Sequence, residues 1–396
     1  MTVVVFSHSL VSDWNHGNAH FLRGVVAELQ ERGHEVAVFE PADGWSRANL
    51  VREHGEQPLR DFAAAFPHLA GRRYTPDGLD LDVELDDADL VLVHEWNDPA
   101  LVQRIGAHRA RHGGYRLLFH DTHHRACTAP EEMSRFDLSD YDGVLAYGEV
   151  IRRIYLERGW AARAWTWHEA ADVRVFHPLP AVEPEADLVW VGNWGDGERS
   201  EELREFLLRP ARQLRLRGSI HGVRYPRAAK WQIRLAGLRY RGWVANHRAP
   251  QLFARHRLTV HVPRRPYVEA LPGIPTIRPF EALACGIPLI CSPWEDAEGL
   301  FRPGQDYLVA RDRAEMREAM EAILEYPDLA EQLRAGGLET IRNHHTCAHR
   351  VDELLAIDAE LRGAPSLPEK TQRPLNFARY RGANSADAEN QPRVAG

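Results

Sequence analysis

The stretch at residues 271–293, LPGIPTIRPFEALACGIPLICSP, leaves the chain few ways to fold. Pro279 suits the first position of a helix, where its missing N–H costs nothing, and residues 280–284 continue that helix. Gly286 follows where a left-handed residue ends a helix at least cost. Residues 287–291 are an apolar run short enough for a buried parallel strand, with Pro288 tolerable only at its start. A loop rich in Gly and Pro thus feeds a helix N-terminus, Glu281 rides on the helix, and a buried strand comes next. Free N–H groups at a helix N-terminus receive phosphate readily. A glutamate one turn further in can accept hydrogen bonds from ribose hydroxyls. The same pattern also suits an ordinary loop–helix–strand unit with Glu281 solvated, and at this level both readings stand.

The rest of the chain repeats that grammar. Residues 2–6 read as a buried strand, the loop 8–18 carries His16 and Gly17, and a helix with Phe21, Leu22, Val25, Val26 and Leu29 on one face runs to Gly33. Strands follow at 34–39, 89–94, 115–119, 142–146 and 164–167, with helices at 99–112 and 148–158 between them. The loop after the first strand lacks GxGxxG, which disfavours a nicotinamide enzyme, and His16 reads as a solvated loop residue. The densest polar cluster, His120 to Arg125, sits where a strand meets a loop, at the ligand edge of an open parallel sheet. His120 is a candidate for holding a substrate hydroxyl or passing its proton. His123 and His124 are weighed as metal ligands. Adjacent histidines on an extended segment point opposite ways, and no carboxylate or cysteine completes a metal spacing, so no metal is expected.

Residues 178–185, PLPAVEPE, read as a linker, and a second α/β pattern restarts at Asp187. It contains a strand at 188–191, the loop Gly192-Asn193-Trp194-Gly195, and a helical stretch at 200–216 that Pro210 should break or kink. Strands at 219–221 and 258–262 flank a loop with Arg224 and Lys230 and a helix at 247–256. Helices at 314–324 and 328–342 precede a last helix at 349–361 that can cross back to the first half. The domains are therefore drawn as 1–178, a linker 179–186, 187–345, a returning helix 346–362 and a disordered tail 363–396. Two Rossmann-like α/β domains facing across a cleft place a small-molecule site between them.

Composition narrows the function classes. The 57 acidic against 49 basic residues give −8, which argues against a nucleic-acid partner. The four cysteines have no CxxC spacing and read as reduced thiols of a cytoplasmic protein. With no run of 18 apolar residues, neither a membrane span nor a signal peptide is expected.

The segment RPFEALACGIP at 278–288 resembles the donor-site segment EAMACGxP of two-Rossmann (GT-B) glycosyltransferases, in particular family-4-like and spore-maturation CgeB-like enzymes. Arg32-Gly33-His34-Glu35-Val36, Ala171-Asp172 with Phe176 and Pro178, and His345-Thr346 with His349-Arg350 match in the same order, so the resemblance spans about residues 1–362. It implies transfer of a sugar from a nucleotide-diphosphate sugar to a small-molecule or glycan acceptor. The transfer is expected to be metal-independent and retaining, with the donor as co-substrate and no further cofactor. Glu281 takes the place of the second glutamate of the E-x7-E motif, which contacts the ribose. The first glutamate's place is held by Gly273, a departure from the motif. Thr276 and Ile277 take the place of the backbone donors to the diphosphate, and His120 falls where family members keep a histidine near the donor sugar. Gly17 falls in the glycine-bearing loop before the first helix. Arg278 lies beside the helix start and is grouped with His120 and Glu281 as catalytic. Arg224, Lys230, Asn193 and Trp194 complete the expected donor set. The alternatives are a catalytically degenerate scaffold that binds a nucleotide or glycan and a sugar-nucleotide 2-epimerase of the same architecture.

Overall fold

The computed structural model describes residues 1–180, 182–195 and 197–363. The predicted disordered tail, apart from Gly363, lies outside the described residues. Seven strands, β1 (Thr2–Phe6), β2 (Glu35–Pro41), β3 (Gly71–Tyr74), β4 (Leu90–His94), β5 (Arg116–Asp121), β6 (Gly143–Ala146) and β7 (Ala164–Thr166), form one sheet in the order β3-β2-β1-β4-β5-β6-β7. Six more, β8 (Ala186–Val191), β9 (Gly218–His221), β10 (Arg239–Gly242), β11 (His256–His261), β12 (Leu289–Cys291) and β13 (Leu308–Val309), form a second in the order β10-β9-β8-β11-β12-β13. Every pairing within both sheets is parallel. Parallel strands need helical crossovers that cover both faces, which is why β4 (LVLVH) is buried from end to end. In each sheet the order reverses beside its first strand, between β1 and β4 and between β8 and β11, and crevices open at such points.

Two local expectations are corrected. The helix of the 271–293 stretch, Ile277–Cys285, begins two residues before Pro279, with Thr276 as its N-cap. Pro279 still breaks no bond, because the first four N–H groups of a helix have no partner within it. Gly286 ends that helix at φ 69°, in the left-handed conformation expected. Pro210 does not break its helix: a π-turn at Arg204–Leu208 joins Ser200–Leu203 to Arg209–Gln213. Widening the turn there absorbs the hydrogen bond that proline cannot make.

The last helix, Cys347–Leu361, returns to the first domain and packs on the helix Ala19–Glu31. Arg32 ion-pairs with Asp352 at 2.5 Å, and the Trp167 indole N–H donates to the Arg350 carbonyl at 2.8 Å. The helices approach so closely at Gly24 that a Cβ there would stand 2.4 Å from Cys347 Sγ and 2.8 Å from Asp172 Cβ. Gly24→Ala should therefore lower the urea midpoint, with about 1–3 kcal/mol of overpacking outweighing a helix-propensity gain of about 1 kcal/mol. An unchanged midpoint would mean that this helix does not dock where the structure puts it.

Candidate active site

A cleft of about 550 Å³ lies between the carboxyl ends of the two sheets. Its size and position suit a bound small molecule. On the C-terminal wall stand Thr276, Ile277 and Arg278, the start of the organising helix. The Thr276 hydroxyl does not cap that helix; it bonds the Nε2 of His261, at the end of β11, at 3.1 Å. The first-turn N–H groups are therefore left for an anion, at the positive end of the helix dipole. Burial holds the His261 pKa down at about 3, so this imidazole is neutral.

Arg199, which sequence reasoning missed, lines the same wall. Its guanidinium donates to the carbonyls of Val262 (3.0 Å) and Asn193 (2.9 Å) and to Asn193 Oδ1 (2.6 Å), and it lies over the Trp190 ring. Its Nε is buried with no acceptor, and among the described residues no carboxylate pairs with it. Burial, reinforced by Arg264 nearby, pulls its pKa down to about 10. A half-buried guanidinium without a counter-ion carries a desolvation cost and is a standing demand for an anion. Nothing in the local sequence separates Arg199 from the many surface arginines of this chain.

The N-terminal wall is aromatic. Trp45 and Trp96 line it with 6.4 Å between ring centroids, and His123 packs 5.2 Å from Trp96. His123 and His124 both face the cleft with rings 4.0 Å apart, contrary to the expectation of opposed directions. His124 is already helical, capping Arg125–Thr128, so the extended-strand rule does not apply. Burial drives the His123 pKa to about 2. His16 also lines the cleft and is buried, not solvated, with its pKa held well below the ordinary range by desolvation.

Glu169 is the second residue missed. It lines the cleft, its Oε1 accepts from Asn18 Nδ2 at 2.9 Å, and burial pushes its pKa up to about 8. Asp13, the other lining carboxylate, is committed to Arg23 (3.1 Å), the Trp243 indole (3.1 Å) and the Asn246 N–H (3.0 Å).

Of the expected site residues, Gly17, Asn193, Arg224, Thr276, Ile277 and Arg278 line the cleft together. A Cβ on Gly17 would press to 3.3 Å from Ile277 across the domain junction. Asn193 bonds Asn15 of the other domain. The other four do not line it. His120, expected beside the sugar, is buried in β5 against Trp167, 4.8 Å between rings, because it falls within the strand rather than after it. Trp194 packs into the second domain's core against Tyr225. Lys230 lies over the Tyr240 ring at 4.7 Å. Glu281 is fully buried, and its carboxylate is taken up by His20 Nδ1 (2.9 Å), Asn246 Nδ2 (2.6 Å) and Arg278. Burial alone would raise its pKa; Arg278, His20 and Asn246 together bring it below the ordinary value. Gly273 has φ 89°, and a Cβ there would meet Glu298 Cγ at 2.6 Å, so the place of the family's first glutamate is closed to a side chain.

Residues 199–356 match a protein family described as glycosyl transferase-like. No curated protein matches the chain in sequence. Among solved structures, the sucrose-phosphate synthase of Thermosynechococcus elongatus is 16% identical with a TM-score of 0.62, over 92% of this chain and 100% of that one. Anabaena HepE, solved with UDP, is 14% identical with a TM-score of 0.62, over 91% and 100%. An α-glucosyltransferase solved with UDP and a DNA 13-mer is 13% identical with a TM-score of 0.66, over 91% and 99%. This is the GT-B fold. The position and polarity of the cleft in this GT-B chain follow from its two sheet reversals and from the helix that starts at Ile277.

Two outcomes test the site. Glu169 is neutral below about pH 8 and becomes an anion above it. Because its folded-state pKa is raised, the stability it contributes is present at low pH and falls as pH rises from about 4.5 through about 8. Affinity for an anionic ligand should fall over the upper part of the same window and hold steady in Glu169→Gln; the same fall in that variant would assign the titration to another group. Glu281→Ala should cost about 3–5 kcal/mol in chemical unfolding, since it strands His20 and Arg278. A cost below about 1 kcal/mol, the range of an exposed pair, would mean that the carboxylate is solvated after all.

Proposed function

We propose that the chain is a glycosyltransferase that moves a hexose from a nucleotide-diphosphate sugar to an acceptor held in the cleft, with retention and without a bound metal. The observation that carries this reading is Arg199, half-buried on the cleft wall with its Nε enclosed and, among the described residues, no counter-ion. As the glycosidic bond breaks, charge builds on the leaving diphosphate. Arg199 and the helix N-terminus at Ile277 are preorganised donors aimed at that charge, with Arg278, already paired to Glu281, beside them. The same inventory supports metal independence. The wall that would meet the diphosphate carries arginines, and of the two lining carboxyls among the described residues Asp13 already accepts from three donors and Glu169 is protonated at neutral pH.

Retention is supported by the poverty of bases. An inverting transfer needs a group near the acceptor whose pKa approaches working pH and which is free to take a proton. Here burial lowers all four lining imidazoles, His123 and His261 to about 2 and 3, and Glu169, at about 8, is mostly protonated at neutral pH. The acceptor rests on the aromatic wall of Trp45 and Trp96, which offers flat apolar surface to one face of a sugar or similar ring. With a net charge of −8, a nucleic-acid acceptor is not part of this reading. Anabaena HepE was solved with UDP-glucose, so a UDP-hexose is the first donor to try. A cytoplasmic setting suits four cysteines, all free. The kinship with CgeB-like enzymes rests on the segment at 278–288 and the supporting matches at 32–36, 171–178 and 345–350.

A second reading, a degenerate GT-B binding protein without turnover, is favoured by one finding: both motif carboxylates are lost to the sugar, Gly273 by sterics and Glu281 by internal pairing. Turnover decides between them. UDP-, GDP-, ADP- and dTDP-hexoses should be titrated calorimetrically and assayed for nucleoside diphosphate release with and without chelator. One donor is expected to bind and be consumed equally under both conditions; binding without release supports the degenerate reading. Arg199→Met is the sharper probe. It removes an uncompensated charge, so the free protein should keep its stability within about 1 kcal/mol. Donor affinity should fall tenfold or more, about 1.4 kcal/mol. Unchanged affinity would remove the main support for the reading.

A further inference from the structure

We propose that Asp82, His108 and His112 form a binding site for one divalent transition-metal ion of the zinc, cobalt or nickel kind, remote from the cleft. The three side chains bring one ligand atom each to within 4.8 Å of one another. His108 and His112 are four residues apart on the helix Pro99–His112, so they share a face, and their rings stack 4.4 Å apart. Asp82 comes from the short helix Leu81–Glu84, which Asp80 holds in place by accepting from the N–H groups of residues 82 and 83.

The decisive atom is His108 Nε2. The ring is buried, only 3% exposed, and Nε2 has no hydrogen-bond partner. It stands 3.2 Å from Asp82 Oδ1 without the alignment of a hydrogen bond. The other side of the ring is held by Tyr115, whose hydroxyl lies 2.9 Å from His108 Nδ1 and 3.4 Å from the Ile105 carbonyl. With the ring proton on Nδ1, facing that hydroxyl, Nε2 presents a lone pair toward the Asp82 carboxylate, an arrangement that a cation between them resolves. His112 Nε2, 3.4 Å from the same Oδ1, completes the donor set. An imidazole oriented by a hydrogen bond from its far nitrogen is the usual support of a metal-bound histidine. Two imidazoles and one carboxylate suit borderline divalent ions and leave positions for water.

The charges around the set favour a cation. Asp77 and Asp80 line the adjoining cavity of about 440 Å³, and Arg104 there is spent on the carbonyls of Pro76 and Leu79. Arg111, the remaining cation of that cavity, donates to the Ala107 carbonyl. The helix starts beside the cleft edge of β4 and runs 14 residues, about 20 Å, so the ion sits at the far edge of the sheet. Its effect would be to pin two helices of the first domain together.

The test titrates chelator-stripped full-length protein with zinc, cobalt and nickel chlorides by calorimetry, with thermal unfolding alongside. One saturable ion per chain and a raised Tm are expected, and cobalt should add visible d–d absorption. Asp82→Asn and His112→Ala, both at exposed positions, should keep the circular dichroism and the cleft's ligand binding of the wild type. Each should weaken the ion at least about tenfold. No binding at millimolar metal would overturn the proposal. So would binding unchanged in both variants, which would place the ion elsewhere, such as at His123 and His124.

Discussion

A carboxylate with no access to water must be paired, and the junction of the two domains is built around one. Glu281 sits at zero exposure, held by His20 from the first domain and by Asn246 and Arg278 from the second. The backbone N–H of Asp172 donates to His20 Nε2 at 2.8 Å, so the proton lies on Nδ1 and points at the carboxylate. One buried negative charge thereby fixes the first helix, the chain at Asp172 and the organising helix in a single network. Arg278 and Asn246, both on the cleft wall, take their positions from it. Glu281 is a positioning residue, and its removal acts on the wall through the fold.

Arg199 and Arg278 show how the same side chain serves opposite ends. Arg278 has Glu281 as counter-ion, so its charge is settled before any ligand arrives. Among the described residues, Arg199 has only carbonyl, amide and ring partners, all neutral. A binding anion gains little from a charge already neutralised and much from one that is not. The difference cannot be seen in the sequence, where each is one arginine near a helix start.

The fold was legible because it depends on short-range chemistry. Gly286 as a left-handed helix end, the helix Pro99–His112 and the buried runs of β1, β4 and β8 follow from periodicity, glycine and capping within a few residues. The cleft was half legible. Thr276, Ile277, Arg278, Gly17 and Asn193 belong to loops after strands, which topology sends to the cleft edge. His120 misled because the strand runs two residues past its apolar core, to Asp121, and so keeps the imidazole inside. Lys230 and Trp194 misled because a loop position does not say which way a side chain turns. Glu169 and Arg199 were invisible because their character comes from desolvation by residues far away in sequence.

The lost glutamate of the motif can be followed to a physical cause. Gly273 adopts φ 89°, and its N–H bonds the Glu295 carbonyl at 2.7 Å, which brings the backbone of Glu298 to 3.0 Å from where a Cβ would stand. The Glu298 carboxylate does not replace the missing one. It accepts from the Glu149 N–H at 2.9 Å, at a helix N-terminus, and pairs with His168 at 2.7 Å, so it is another bridge between domains. On the proposed reading, contacts to the donor sugar come from the opposite wall, and among the described residues the carboxyl available there is Glu169. Being protonated at neutral pH, Glu169 can donate a hydrogen bond as well as accept one. That pairing suits a hydroxyl, which also does both, and spares a bound diphosphate the repulsion of a second negative charge.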